Sequence, residues 1–231
     1  MEVIENKSEK LIIKMEANEQ LANAIRRSIN EIPVLVIDEV EIFKNDSALY
    51  DEILANRLGL VPLKTEKGMG EKTDIELKLA KKGPCTVYSG DLKGNADIVY
   101  DKIPITILGE EHKLELVASA RLGKGIEHAK AVPGLCYYRH ILEVVSSPKI
   151  DEIIEKSKGL IKAEKKGNKW ICDLRGADIE DINAIDKNAI VDSSEILFVI
   201  ESYGNMAAKE ILLKAIKALE DNLDEFEKEI K

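Results

Sequence analysis

Cysteine, histidine and aromatic side chains are all scarce in this chain of 231 residues, and each shortage excludes something. The three cysteines, Cys85, Cys136 and Cys172, form no C-x-x-C pair, and an odd number is a poor basis for a disulfide framework. The three histidines, His112, His128 and His140, stand in no H-x-x-x-H or H-E-x-x-H spacing, so no two of them share a helical face as metal ligands. The cysteines read as small buried hydrophobes and the histidines as surface or loop residues. Aromatics make up 4% of the chain, which leaves the core to Ile, Leu and Val. The longest apolar run, residues 196–200, falls far short of the roughly 20 residues a membrane helix needs. The opening charges Glu2, Glu5, Lys7, Glu9 and Lys10 leave no apolar leader segment, so the chain is expected to be soluble and intracellular. A basic surplus is missing as well. With 34 Lys+Arg against 43 Asp+Glu the net charge is −9, which argues against a broad basic face for nucleic acid. What is present is globular composition, 45% hydrophobic and 33% charged, long enough for one or two domains with a real core.

Residues 2–17 carry Val3-Ile4 and Leu11-Ile12-Ile13 on either side of a polar break, which predicts two strands or one hairpin. Asn18 offers an N-cap for a helix, with Glu19 in its first turn. The apolar positions Leu21, Ile25, Ile29 and Ile32 then recur near a 3.6 period up to Pro33. Asn23, Arg26, Arg27 and Asn30 fall on or near the other face. That polar face has two uses, plain solvation or docking to another chain, where the planar guanidinium suits carboxylates. Residues 34–43 read as a strand, followed by turn chemistry at Asn45-Asp46-Ser47. Ser47 is expected to cap a short helix through Leu49, Ile53, Leu54 and Leu58, ended by Gly59 in the left-handed region. Residues 61–122 read mainly as strands. Residues 148–191 are charged, short of large apolar side chains and punctuated by Gly159, Gly167 and Gly176, as in a small inserted module.

The chain closes with a strand at 196–200, a turn at Tyr203-Gly204 and a helix over about 207–231. Along this helix Leu212, Ile216, Leu219, Leu223, Phe226 and Ile230 are spaced 4, 3, 4, 3, 4, the pattern of an a/d seam. Such a seam faces either the chain's own core or a second chain. About 25 helical residues span about 37 Å, more than a small domain covers. Glu220, Asp221, Asp224, Glu225, Glu227 and Glu229 crowd the C-terminal turns, where the macrodipole disfavours anions. Packing against a partner would hold that end.

No self-sufficient active site emerges. Gly123-Lys124-Gly125-Ile126-Glu127-His128 has two glycines of a dinucleotide fingerprint but His in place of the third, and reads as a tight loop. Gly70-Glu71-Lys72-Thr73 fails as a phosphate loop, because Glu71 puts negative charge where phosphate must sit. No G-x-S-x-G elbow precedes a helix, and no Cys–His pairing follows from spacing. Paired acids such as Glu110-Glu111 read as solvated.

Several segments together are familiar. Asn23-Ala24-Ile25-Arg26-Arg27, Pro33, Asp38-Glu39-Val40, Asn45-Asp46-Ser47 and Asp51-Glu52-Ile53-Leu54-Ala55-Asn56-Arg57-Leu58-Gly59-Leu60-Val61-Pro62-Leu63 resemble the D-subunit family of archaeal DNA-directed RNA polymerases. That family is related to the eukaryotic third-largest subunit and the bacterial alpha N-terminal domain. Ala120-Arg121-Leu122-Gly123-Lys124-Gly125-Ile126-Glu127-His128-Ala129-Lys130 is similar to its second signature, and Phe198-Val199-Ile200-Glu201-Ser202-Tyr203-Gly204 with the long helix to its third.

The resemblance implies an α+β fold: an alpha-subunit-like dimerisation domain, an antiparallel sheet plus two long helices, from residues 1–44 and 192–231. It further implies an inserted mainly-β domain at 45–147 and a small degenerate ferredoxin-like module at 148–191. The implied role is that of a non-catalytic assembly subunit of the multi-subunit DNA-directed RNA polymerase, a nucleotidyltransferase. The seam from Leu212 to Ile230 would pair with the small alpha-like subunit L. The resulting heterodimeric platform would recruit subunit N and the second-largest catalytic subunit, the latter docking with the help of Asn23, Arg26 and Arg27. Catalytic magnesium would sit on other subunits, and sequence-specific DNA binding and membrane attachment are not expected. Two departures stand out. Ala131 occupies a position where the signature usually has Trp. Many members hold an iron–sulfur cluster on C-x-x-C-x-x-C repeats in the ferredoxin-like module, whereas residues 148–191 contain Cys172 alone. The module is therefore expected to lack its cluster. The competing readings are a ferredoxin-like redox or interaction protein outside the polymerase, and a hydrolase with no recognisable nucleophile–base pair.

Overall fold

The computed structural model describes residues 1–70 and 72–231. Its elements run β1 (Glu2–Asn6), β2 (Lys10–Glu16), α1 (Glu19–Ser28), β3 (Val34–Asn45), α2 (Asp51–Gly59), β4 (Asp74–Lys82), β5 (Cys85–Tyr88), β6 (Lys93–Gly94) and β7 (Pro104–Leu108). They continue with β8 (Lys113–Gly123), β9 (Gly134–Val145), α3 (Pro148–Lys156), β10 (Glu164–Lys166), β11 (Lys169–Cys172), α4 (Gly176–Ile185), β12 (Ile190–Ser202) and α5 (Ala208–Ile230). These form two compact units, one of residues 1–6, 11–24 and 136–200, the other of residues 7–10, 25–135 and 201–231. This division differs from the expected one at 44/45, 147/148 and 191/192. Glu71, whose charge argued against a phosphate loop, lies outside the described residues.

The first unit is built on a six-stranded sheet of order β1-β2-β12-β9-β11-β10. The expected N-terminal hairpin is present, with β1 and β2 antiparallel from Glu2 opposite Lys14 to Asn6 opposite Leu11. The apolar run Ile196, Leu197, Phe198, Val199 and Ile200 lies in β12, inside the sheet, and all five side chains are buried. Such an unbroken run is what a strand covered on both faces requires. Strand β9 divides its apolar residues by the period of two. Ile141 joins Ile12, Leu197 and Val199 in one cluster, while Leu142 and Val144 join Ile150, Ile154, Trp170, Cys172, Leu174 and Ile182 in another. The inserted stretch 148–191 therefore has a core of its own, and its strands β10 and β11 extend the sheet through β9.

Two buried or half-buried carboxylates tie this insertion together. Asp151 accepts hydrogen bonds from Lys165 Nζ at 2.7 Å, Trp170 Nε1 at 2.8 Å and Ser146 Oγ at 2.8 Å. The Lys165 bond first and the Trp170 bond second hold its carboxyl down to about 2. Asp173, 2% exposed, accepts from Arg139 Nη2 at 2.6 Å and from the Leu160 amide at 2.6 Å. Gly159 fits here because a Cβ would press on the Asp173 backbone.

Asn18 caps α1 as expected, its side-chain oxygen accepting from the Leu21 amide at 2.8 Å. The buried line runs Ala22, Ile25, Ile29 and Ile32, however, and Leu21 stays largely exposed. Helix α1 has 10 residues, continues as a 3-10 turn over Ile29–Glu31 and stops at Pro33, so among the described residues only α5, with 23, is long.

The second unit contains a four-stranded sheet β3-β8-β4-β6 and the strand pair β5-β7. Strand β3, expected among the chain ends, instead pairs along its length with β8, from Val34 opposite Gly123 to Asn45 opposite Leu114. Between this sheet and α2 lies a core that includes Leu35, Ile37, Leu54, Leu58, Leu77, Leu116 and Ile105. Helix α2 starts at Asp51, not at Ser47. The Ser47 hydroxyl is taken up by the preceding turn, donating to Asn45 Oδ1 at 2.7 Å, while the Asn45 amide reaches Leu49 O and Asp51 Oδ1, each at 2.8 Å. Gly59 ends α2 in ordinary backbone and not in the left-handed region, because the Leu60 amide continues the helix to Asn56 O. Helix α5 lies against the turn Ile29–Glu31 and buries Ala208, Ile211 and Ala215. Among the described residues no helix is long and apolar enough to cross a membrane.

Candidate assembly surfaces

Helix α5 carries two apolar lines of different fate. Ala208, Ile211 and Ala215 are buried. The seam Leu212, Ile216, Leu219, Leu223, Phe226 and Ile230 lies beside that line, one step round the helix. Its first three residues are half-buried, whereas Leu223, Phe226 and Ile230 are 60%, 64% and 69% exposed. Leu213, adjoining the seam, is exposed too. Three large side chains at a/d spacing on the open end of one helix make an exposed apolar stripe.

The arginine pair sits in the last turn of α1, where cations complement the helix dipole. Asn23 and Arg26 are half-buried and interact with surrounding groups, while Arg27 is exposed. Of the three residues, Arg27 is the exposed one.

Residues of the first and second signatures come together in the second unit at Asp38, a site the sequence showed only as separate motifs. Arg121 Nε of β8 reaches Asp38 Oδ2 at 2.6 Å, and Arg121 Nη2 reaches Glu39 Oε1 at 2.8 Å. Lys130 Nζ donates to Ile37 O at 3.0 Å and to Asp38 Oδ1 at 3.2 Å. A cleft of about 220 Å³ opens beside them, lined by residues of the first and second signatures, among them Asp38, Asn56, Leu60, His128 and Lys130. His128 Nδ1 accepts the Lys130 amide at 3.1 Å and so is used in holding the loop. Gly125 lets that loop approach closely: a Cβ would sit 2.8 Å from Val132 Cγ2 and 3.1 Å from Asn30 Cα. Ala131, buried, faces Gly123 in the place where the signature usually has Trp. These contacts brace the unit. They offer no nucleophile with a base beside it among the described residues. The opposite charges in each motif were the one sequence signal for this convergence.

An iron–sulfur cluster does not fit the donors present. Cys172 is fully buried in the core of the insertion, and burial first, then the charge of Asp173, pushes its thiol up to about 12. A cubane takes up to four thiolates, and residues 148–191 supply Cys172 alone. Among the described residues no three His, Cys, Asp or Glu side chains are grouped to hold a metal ion.

His140 is neither a loop nor a free surface residue. It projects from β9, with Nε2 2.9 Å from Glu19 Oε1 and Nδ1 2.9 Å from Ser193 O. Both neighbours are acceptors, so the doubly protonated ring satisfies both. The Glu19 bond, followed by the Ser193 carbonyl, raises its pKa above the ordinary value.

Known proteins are similar to this chain in sequence. Residues 23–135 match the family described as the RNA polymerase Rpb3/RpoA insert domain, nearly the central stretch 25–135 of the second unit. The chain is 35% identical to the DNA-directed RNA polymerase subunit Rpo3 of Pyrococcus furiosus, over 90% of this chain and 88% of that protein. It is 35% identical to the subunit of the same name from Methanothermobacter thermautotrophicus, over 88% of each chain. With Rpo3 of Halobacterium salinarum it shares 34% identity over 90% of this chain and 88% of that one. With such identity and coverage, the chain belongs to the Rpo3 family, the D-subunit family of archaeal RNA polymerases.

Proposed function

We propose that this chain is a non-catalytic assembly subunit of the archaeal DNA-directed RNA polymerase, acting in the cytoplasm. The exposed stripe Leu223, Phe226 and Ile230 carries the reading, because it continues a half-buried seam that the chain itself leaves uncovered. The small alpha-like subunit L covers it, and the heterodimer recruits subunit N and the second-largest subunit. Arg27, with Asn23 and Arg26 behind it, supports docking of that large subunit through carboxylates. Polymerisation and its magnesium belong to the large subunits, and the net charge of −9 fits a chain that does not read DNA sequence itself. The insertion holds together through its apolar core and its two carboxylate knots, without a cluster. With Cys172 as its one cysteine, the insertion lacks the thiols of a redox protein of ferredoxin type.

Light scattering on the purified chain, alone and mixed with subunit L, tests the proposal. A one-to-one heterodimer that is lost when Leu219 and Leu223 become Asp is the expected result. A monomer indifferent to subunit L would refute it.

A further inference from the structure

The exposed end of α5 is apolar along its seam and acidic on both sides of it. With Leu212, Leu219 and Phe226 at d and Ile216, Leu223 and Ile230 at a, the residues directly beside the open seam are Glu220 and Glu227 at e and Asn222 and Glu229 at g. None of these four is basic. From residue 220 to 231 there are six acids, Glu220, Asp221, Asp224, Glu225, Glu227 and Glu229, against Lys228 and Lys231. Three of the acids have exposed ion pairs within the helix, Glu220 with Lys217 at 3.9 Å, Asp221 with the same Lys217 at 2.8 Å and Glu227 with Lys231 at 2.6 Å, and pairs of that kind neutralise little. In coiled-coil geometry the e and g residues of one helix meet those of the other. A second copy of this chain would therefore set acid against acid, with e facing g in a parallel pair and e facing e in an antiparallel one.

We infer that the acidic flanks Glu220, Glu227 and Glu229 select the occupant of this seam: a helix with an apolar a/d line and Lys or Arg at its flanking positions, and not a second copy of this chain. The inference rests on α5 being a docking helix and adds what decides its partner. The apolar stripe supplies attraction without discrimination, since any amphipathic helix fits it. The charges supply the repulsive element that specificity needs. They also explain why anions are tolerated at a helix C-terminus, where the dipole opposes them: basic flanks of the partner neutralise them on docking.

The test uses the full chain and two fluorescein-labelled three-heptad peptides with the same Leu/Ile seam, one flanked by Lys and one by Glu. Anisotropy at 50 mM NaCl is expected to show the Lys peptide bound roughly tenfold more tightly, the size expected of three exposed flanking pairs. The preference should collapse at 500 mM NaCl, where screening is short-ranged. Changing Glu220→Lys, Glu227→Lys and Glu229→Lys together should invert the order, and the matching Gln triple variant should erase it. Equal binding of the two peptides, binding of neither, or self-association of the unaltered chain through Leu223 at 50 mM NaCl overturns the inference. Subunit L separates the two failures. If it is captured while the peptides show no charge preference, selection by charge alone is wrong; if it is not captured, the docking reading falls as well.

Discussion

Truncating Leu223 and Phe226 to Ala separates a docking stripe from an ordinary core-facing helix. Fully burying a Leu or Phe side chain is worth about 1.5–3 kcal/mol. These two are 60% and 64% exposed in the chain alone, so a partner has roughly two thirds of each left to cover. Covering both contributes about 2–4 kcal/mol, and losing it weakens binding to subunit L by roughly 30- to 1000-fold. Alanine is the best helix former, so the helix itself is preserved. The chain's own stability should hardly move, because exposed substitutions fall within about 0.5 kcal/mol. Ile211→Ala provides the contrast. Ile211 is fully buried, and its truncation should cost about 2–5 kcal/mol of the chain's own stability while acting on binding only through folding. Titration calorimetry with subunit L and differential scanning calorimetry of the chain alone read the two effects separately. If the Leu223/Phe226 variant melts as early as Ile211→Ala, or binds subunit L within about threefold of the unaltered chain, the stripe is part of the chain's own packing and the reasoning is refuted.

Three further outcomes are expected. His140 should titrate above its ordinary pKa in an NMR pH series, and Glu19→Gln should bring it down, since the Glu19 bond is the largest cause of the shift. Its folded pKa is raised, so its contribution to stability is complete below about 6.5, the unfolded value, and is lost as pH rises through the folded value; a stability profile unaffected by Glu19→Gln over that window would contradict this. Asp173→Ala leaves Arg139 without its buried partner and the Leu160 amide without an acceptor, and should cost about 2–3 kcal/mol by urea denaturation, below the usual range because Arg139 is 38% exposed. In the native chain a thiol reagent should label Cys85 and Cys136 but not Cys172, which reacts only on unfolding, and iron reconstitution should leave less than one iron per chain.

Short-range patterns carried much of the fold into view. Asn18 caps α1, the polar break after Ile4 makes the β1–β2 hairpin, and the 4, 3, 4, 3, 4 spacing draws the α5 seam, because each depends on residues within a few positions of one another. Where two local uses of one residue compete, the pattern misleads. Ser47 has the chemistry of a cap, yet Asn45 takes its hydroxyl and the helix begins at Asp51. The insertion misled in another way. Its many charges hide Ile150, Ile154, Trp170, Leu174 and Ile182, which are too widely spaced in the chain to read as a core.

The sequence by itself determined the family, the a/d seam with the acids beside it, and the shortage of thiols for a cluster, since motifs, spacing and counts are properties of the chain. Only the tertiary structure decided that β3 joins β8, that Arg121 and Lys130 meet at Asp38, and that Cys172 lies in a closed apolar core. It also decided that α5 buries the line through Ile211 and leaves the one through Phe226 open. Each of these depends on segments tens of residues apart being brought into register, and local propensity carries no information about that.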